Sequence, residues 1–107
     1  LTKMGIMDKA KMYHNRPNVA EDIVITYAEM KSYPKQFREN LKSQLARSKA
    51  AMNQASDDLK SVPKSRFNPF TRAARTQFKR DLNRAMAWHV SLTYIEAKAN
   101  LIDQFML

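Results

Sequence analysis

Eight basic side chains, Lys60, Lys64, Arg66, Arg72, Arg75, Lys79, Arg80 and Arg84, face a single acid, Asp81, within twenty-five residues. Arg72, Arg75 and Lys79 fall at helical spacing along one face, and Arg80 and Arg84 along the face beside it. Such an array suits an anion, because guanidinium groups donate in a bidentate fork and phosphates release counterions when neutralised. Arginines in the first turns of a helix also oppose its dipole, an arrangement that a bound anion relieves. Phe67 and Phe70 flank the start of that helix and can stack on the bases of a single strand, or pack beneath the turn as a hydrophobic staple. The array is therefore either an anion-binding surface, for nucleic acid or acidic protein, or a charged face that meets only water.

Catalytic chemistry has less to build on. His14 and His89 are the only histidines, and neither has a carboxylate or nucleophile at a helical spacing that would complete a site. Glu96 shares a face with His89 but lies two turns away, about 10 Å along the axis. His89 therefore reads as a structural residue at the edge of a helix seam, beside Trp88. With no cysteine and few scattered acids, neither a thiolate site nor a hard-metal cage can be assembled. Gly5 is the only glycine, which excludes phosphate loops, dinucleotide fingerprints and nucleophile elbows. No enzymatic activity, cofactor, metal or small-molecule substrate is expected.

The chain of 107 residues carries a net charge of +9, and the surplus is local. Residues 1–30 sum to zero, 31–50 to +5, 60–84 to +7 and 85–107 to −1, with Asp57 and Asp58 interrupting the basic run. A surplus concentrated in this way marks where an anionic partner would touch. The apolar runs fall far short of the ~20 residues needed to span a bilayer, so a soluble or peripheral protein is expected. The chain begins with Leu1 and not methionine, which is compatible with a removed presequence.

Four prolines punctuate an otherwise helix-favouring composition. A weakly amphipathic first helix is expected from Thr2 to about His14, with Met4, Met7 and Lys11 on one side and Ile6, Ala10 and Tyr13 on the other. A second helix starts at a capping-box-like Asn18 and Glu21 and carries Val19, Ile23, Thr26, Tyr27 and Met30 at helical spacing. Its run Ile23-Val24-Ile25-Thr26-Tyr27 suits a strand on propensity, but no second strand is available to pair with it. Pro34 opens a third helix whose seam runs Phe37, Leu41, Leu45, Ser48, Met52, Ala55, Leu59 and Val62, in the steps of three and four that mark a coiled-coil seam. Asn68-Pro69 starts a fourth, about 55 Å long, with the seam Phe78, Leu82, Ala85, Trp88, Leu92, Ile95, Ala99, Ile102 and Met106.

The fold predicted is all-α, a single helical domain over residues 1–107. It is a small bundle dominated by a long antiparallel helical hairpin, about 35–61 and 70–106, with two shorter helices within residues 1–31. A second stripe, Ala87, Val90, Tyr94, Ala97, Leu101 and Phe105, adjoins the seam only in the C-terminal half of the fourth helix. Either the first two helices cover it or a partner protein does, with Val90, Tyr94, Leu101 and Phe105 as the interface. Residues 60–84 are expected to project as a basic hairpin tip. Together these features suggest a non-enzymatic accessory or structural subunit that docks through apolar helix faces, or self-associates through them, and meets an anionic partner at the tip. The alternative is a stand-alone nucleic-acid-binding protein with phosphate contacts from residues 60–84. A membrane-surface role is disfavoured, because so long a seam demands a helical partner.

Overall fold

The structure, a computed structural model, describes residues 5–12, 19–63 and 69–106. Four helices follow in order: α1 (Ile6–Met12), α2 (Val19–Ser32), α3 (Pro34–Ser61) and α4 (Pro69–Phe105). There is no strand among the described residues, and the Ile23–Tyr27 run is helical. The expected all-α hairpin bundle is what forms, in a body of 58 × 24 × 23 Å whose long axis is set by the 37 residues of α4.

Proline chemistry sets the boundaries of α3. Tyr33 is the whole joint between α2 and α3, with φ −140° and ψ 65°. Residues before proline are pushed out of the helical region, and Pro34, lacking an N–H, loses nothing at a first helical position. Backbone bonds bracket the joint, from Tyr33 N to the Glu29 carbonyl at 2.8 Å and from Phe37 N to the Tyr33 carbonyl at 2.9 Å. At the other end, Val62 is extended before Pro63, so α3 stops at Ser61. The proposed caps Thr2 and Asn18 lie outside the described residues.

α3 and α4 pair antiparallel along their seams. Phe37, Leu41, Ser48 and Ala55 are buried on α3, and Ala85, Leu92, Ile95, Ala99 and Ile102 on α4. Near the chain's C-terminal end Arg38 bonds Asp103, Asn100 and the Ala99 carbonyl. Ten residues further along α3, Ser48 meets His89, as an antiparallel register requires. Met106, expected to close the α4 seam, is exposed in a turn beyond the helix, where α3 has no residue left to face it.

The main core lies at the end of the hairpin away from the basic tip, where α1 and α2 add Ile6, Met7, Ala10 and Met30 to Phe37, Leu41, Leu92, Ile95, Ala99 and Ile102. A helix as short as α1 is not stable alone in water, so its packing must hold it. Ile6, Met7 and Ala10 are all buried, which corrects the expected division of α1 between two faces. A carboxylate oxygen of Glu29 on α2 accepts the N–H of Ile6 at 3.0 Å, satisfying a first-turn donor of α1. Gly5 makes that approach easy, since a Cβ there would lie 3.0 Å from the same oxygen.

The buried face of α2 matches expectation at Thr26 and Met30, with Tyr27 partly buried against the core, and departs from it at Ile23. Asp22, Thr26 and Met30 point inward, while Ile23 and Val24 are exposed. The cause is Lys98, buried on α4 with its Nζ 3.8 Å from Asp22 Oδ2 and 3.8 Å above the Tyr94 ring. A buried ammonium needs an opposite charge beside it, and turning Asp22 inward turns Ile23 out.

Candidate functional site

The first half of α4 runs alongside the second half of α3, with Lys11 of α1 reaching the groove beside Asp81 and Arg84. Phe78 and Leu82 lie half-buried on its inner side, facing a seam that includes half-buried Leu59 and Val62. Lys79 and Arg80 are exposed on its outer side, Arg84 is exposed beside Lys11 and Ala51 in the groove between α1, α3 and α4, and Lys60 is exposed at the end of α3. Arg72 is also exposed, and Arg75 is half-buried. Asp81, the only acid in the segment, accepts a hydrogen bond from Gln77 at 3.0 Å, so it is engaged along its own helix. Lys79, Arg80 and Arg84 form no ion pair among the described residues. Lys64, Arg66 and Phe67 lie outside the described residues. Phe70 is 81 % exposed, so it does not pack beneath the turn as a buried staple.

Among the described residues, the C-terminal half of α4 is covered on two sides. α3 covers one flank, where His89 meets Ser48, and α1 and α2 cover the other, where Lys11 lies over the Trp88 ring and Asp22 meets Lys98. The second stripe is left between them. Val90 is 63 %, Leu101 56 % and Phe105 72 % exposed, and Ala87 and Ala97 are open as well. The first two helices therefore do not cover this stripe; the charge on Lys98 draws α2 to the flank instead. Tyr94 is the exception in the row, half-buried with its ring under the Lys98 ammonium.

This outer face carries no charged side chain from Ala85 to Tyr94 and again from Ala97 to Asn100 apart from the buried Lys98. A chain with a net charge of +9 thus keeps one long helical surface apolar and uncharged. Large apolar side chains aligned in water are costly to leave bare, and their alignment is the usual mark of an interaction surface.

His89 does have a hydroxyl neighbour that the linear spacing concealed. Its Nδ1 lies 2.7 Å from Ser48 Oγ, which is forty-one residues away. Ser48 is fully buried, and its Oγ also lies within hydrogen-bonding distance of the Leu45 carbonyl at 2.9 Å. A hydroxyl so enclosed cannot reach a substrate, and the pair clamps α3 to α4 as a seam contact. No group of three or more histidines, aspartates or glutamates is placed to hold a metal ion among the described residues. No described helix is long and apolar enough to cross a membrane. No protein-family model, curated protein or solved structure matches the chain.

Proposed function

We propose that the protein is a non-catalytic helical subunit that docks in a larger assembly through the outer face of the C-terminal half of α4 and meets an anionic surface through the basic half. The observation that carries this reading is the row Val90, Leu101 and Phe105, left exposed on a helix whose opposite side is a well-filled core. Burying three such side chains is worth about 1.5–3 kcal/mol each, enough to anchor a specific contact. Lys79, Arg80 and Arg84, which form no ion pair among the described residues, supply attraction and orientation.

The test is the size of the particle that holds the chain in an extract of its native source. The native chain is expected to elute with a complex well above its own 12.4 kDa, and the Leu101→Glu variant to elute as free chain. Elution of both as free chain would remove the reading. A second reading, nucleic-acid binding through Lys60, Arg72, Arg75, Lys79, Arg80 and Arg84, draws on the same basic cluster. It predicts a mobility shift at low salt that weakens steeply as salt rises.

A further inference from the structure

The cationic and apolar halves of α4 share one outer face. Stepping by three and four from Arg72 through Thr76, Lys79 and Asn83 leads to Met86 and Val90, and onward through Tyr94 and Ala97 to Leu101 and Phe105. All but half-buried Tyr94 are exposed. The row is one helix wide, bounded by Thr93, Asn100 and Gln104 along one edge and by Ser91 along the other. A stripe of this width and period is complementary to another helix more than to a broad lipid surface.

Resting on the docking reading above, we infer that the occupant of this face is a single amphipathic helix of another protein, apolar over the turns that meet residues 86–105 and acidic over those that meet residues 72–84. Charge complementarity selects this occupant. A second copy lying parallel would set Arg72, Lys79 and the flanking Arg80 against their own equivalents. A second copy lying antiparallel would join the apolar halves and leave both cationic halves uncovered. Nucleic acid would neutralise the cations and leave Val90, Leu101 and Phe105 in water. Only an acidic and apolar helix satisfies both halves, over about 50 Å of α4.

The probe is a synthetic helix with about three heptads carrying Leu at the two seam positions joined to about two heptads carrying Glu there and beside them, made in both orders, with a control in which Gln replaces Glu. Binding to the full chain is measured by calorimetry. One order of the Glu peptide is expected to bind at least about tenfold more tightly than its Gln control, about 1.4 kcal/mol. The Lys79→Glu, Arg80→Glu variant is expected to lose that advantage while binding the Gln control unchanged, and Leu101→Glu to weaken both. Equal binding of Glu and Gln peptides, still sensitive to Leu101→Glu, would overturn the acidic-helix inference and leave the docking reading standing. Self-association through Leu101 that excludes both peptides would have the same effect, as would capture of a nucleic-acid duplex at the tip that the Glu peptide does not displace. No binding of either peptide in either order, by a chain that is also free in its native extract, would end both.

Discussion

Lys98 Nζ lies 3.8 Å from Asp22 Oδ2 in the interior of the bundle, with both side chains almost fully removed from water, and this contact ties α2 to α4. The ammonium makes no hydrogen bond among the described residues and rests on the Tyr94 ring. The pair lies on the same inward face of α2 as Thr26 and Met30.

Removing one partner leaves the other charge buried without compensation. Lys98→Met is expected to cost about 3–5 kcal/mol in urea denaturation, and Lys98→Met with Asp22→Leu to recover most of it, because a well-packed apolar pair often replaces a buried ion pair without loss. A double variant as unstable as Lys98→Met would show that the pair is not the source of the cost.

Burial raises the pKa of the Glu29 carboxyl above its ordinary 4.5; the Ile6 N–H bond opposes the shift and the charge of Asp8 adds to it. The folded state then holds this proton more tightly than the unfolded chain, so Glu29 contributes a stability that is fully present at low pH and is lost as pH rises through the raised value. Glu29→Gln keeps an oxygen for Ile6 and removes the titration. The stability of native protein minus variant should grow as pH falls toward 4.5 and then level off. A difference that is flat or of opposite slope would contradict this.

The Cβ of Gly5→Ala would press on the Glu29 oxygen that accepts the Ile6 N–H. The carboxylate is the end of a flexible side chain and can move by a few tenths of an ångström, so the loss is limited to part of one hydrogen bond, below about 1 kcal/mol. The loss should vanish in a Glu29→Ala background, and persistence there would place the strain elsewhere.

These contacts divide what could be seen in the sequence from what could not. Pro34, Pro63 and Pro69 marked the ends of α3 and α4 because their effect on the backbone is local. The two seams were visible because burial against one straight neighbour imposes steps of three and four. Asp22 with Lys98, Glu29 with Ile6, and Ser48 with His89 are separated by 76, 23 and 41 residues, and no local pattern announces them. Spacing identified Thr26 and Met30 on the inward face of α2, but Ile23 was misplaced for that reason: reading it as core follows hydrophobicity, whereas Asp22 turns inward toward the distant Lys98. For the candidate site, the basic cluster and the second stripe could be read directly, but their continuity along one open face required knowing where α1 and α2 settle.

If the basic half of α4 meets an acidic protein, treating the native complex with nuclease should leave it intact, while raising the salt should weaken it. Arg80→Glu with Arg84→Glu should weaken the complex at low salt and flatten its salt dependence. Release by nuclease would favour the nucleic-acid reading instead.

The absence of cysteine permits the most direct measurement. Leu101→Cys carries the chain's only thiol, on the face proposed to dock; Lys49→Cys places one on the exposed side of α3 as a control. Reaction with a thiol reagent is timed on purified chain and on chain within its native particle. A docked α4 face predicts that Cys at position 101 reacts freely in the purified chain and several-fold more slowly in the particle, while the control is unchanged. Equal rates at position 101 in both states would contradict it.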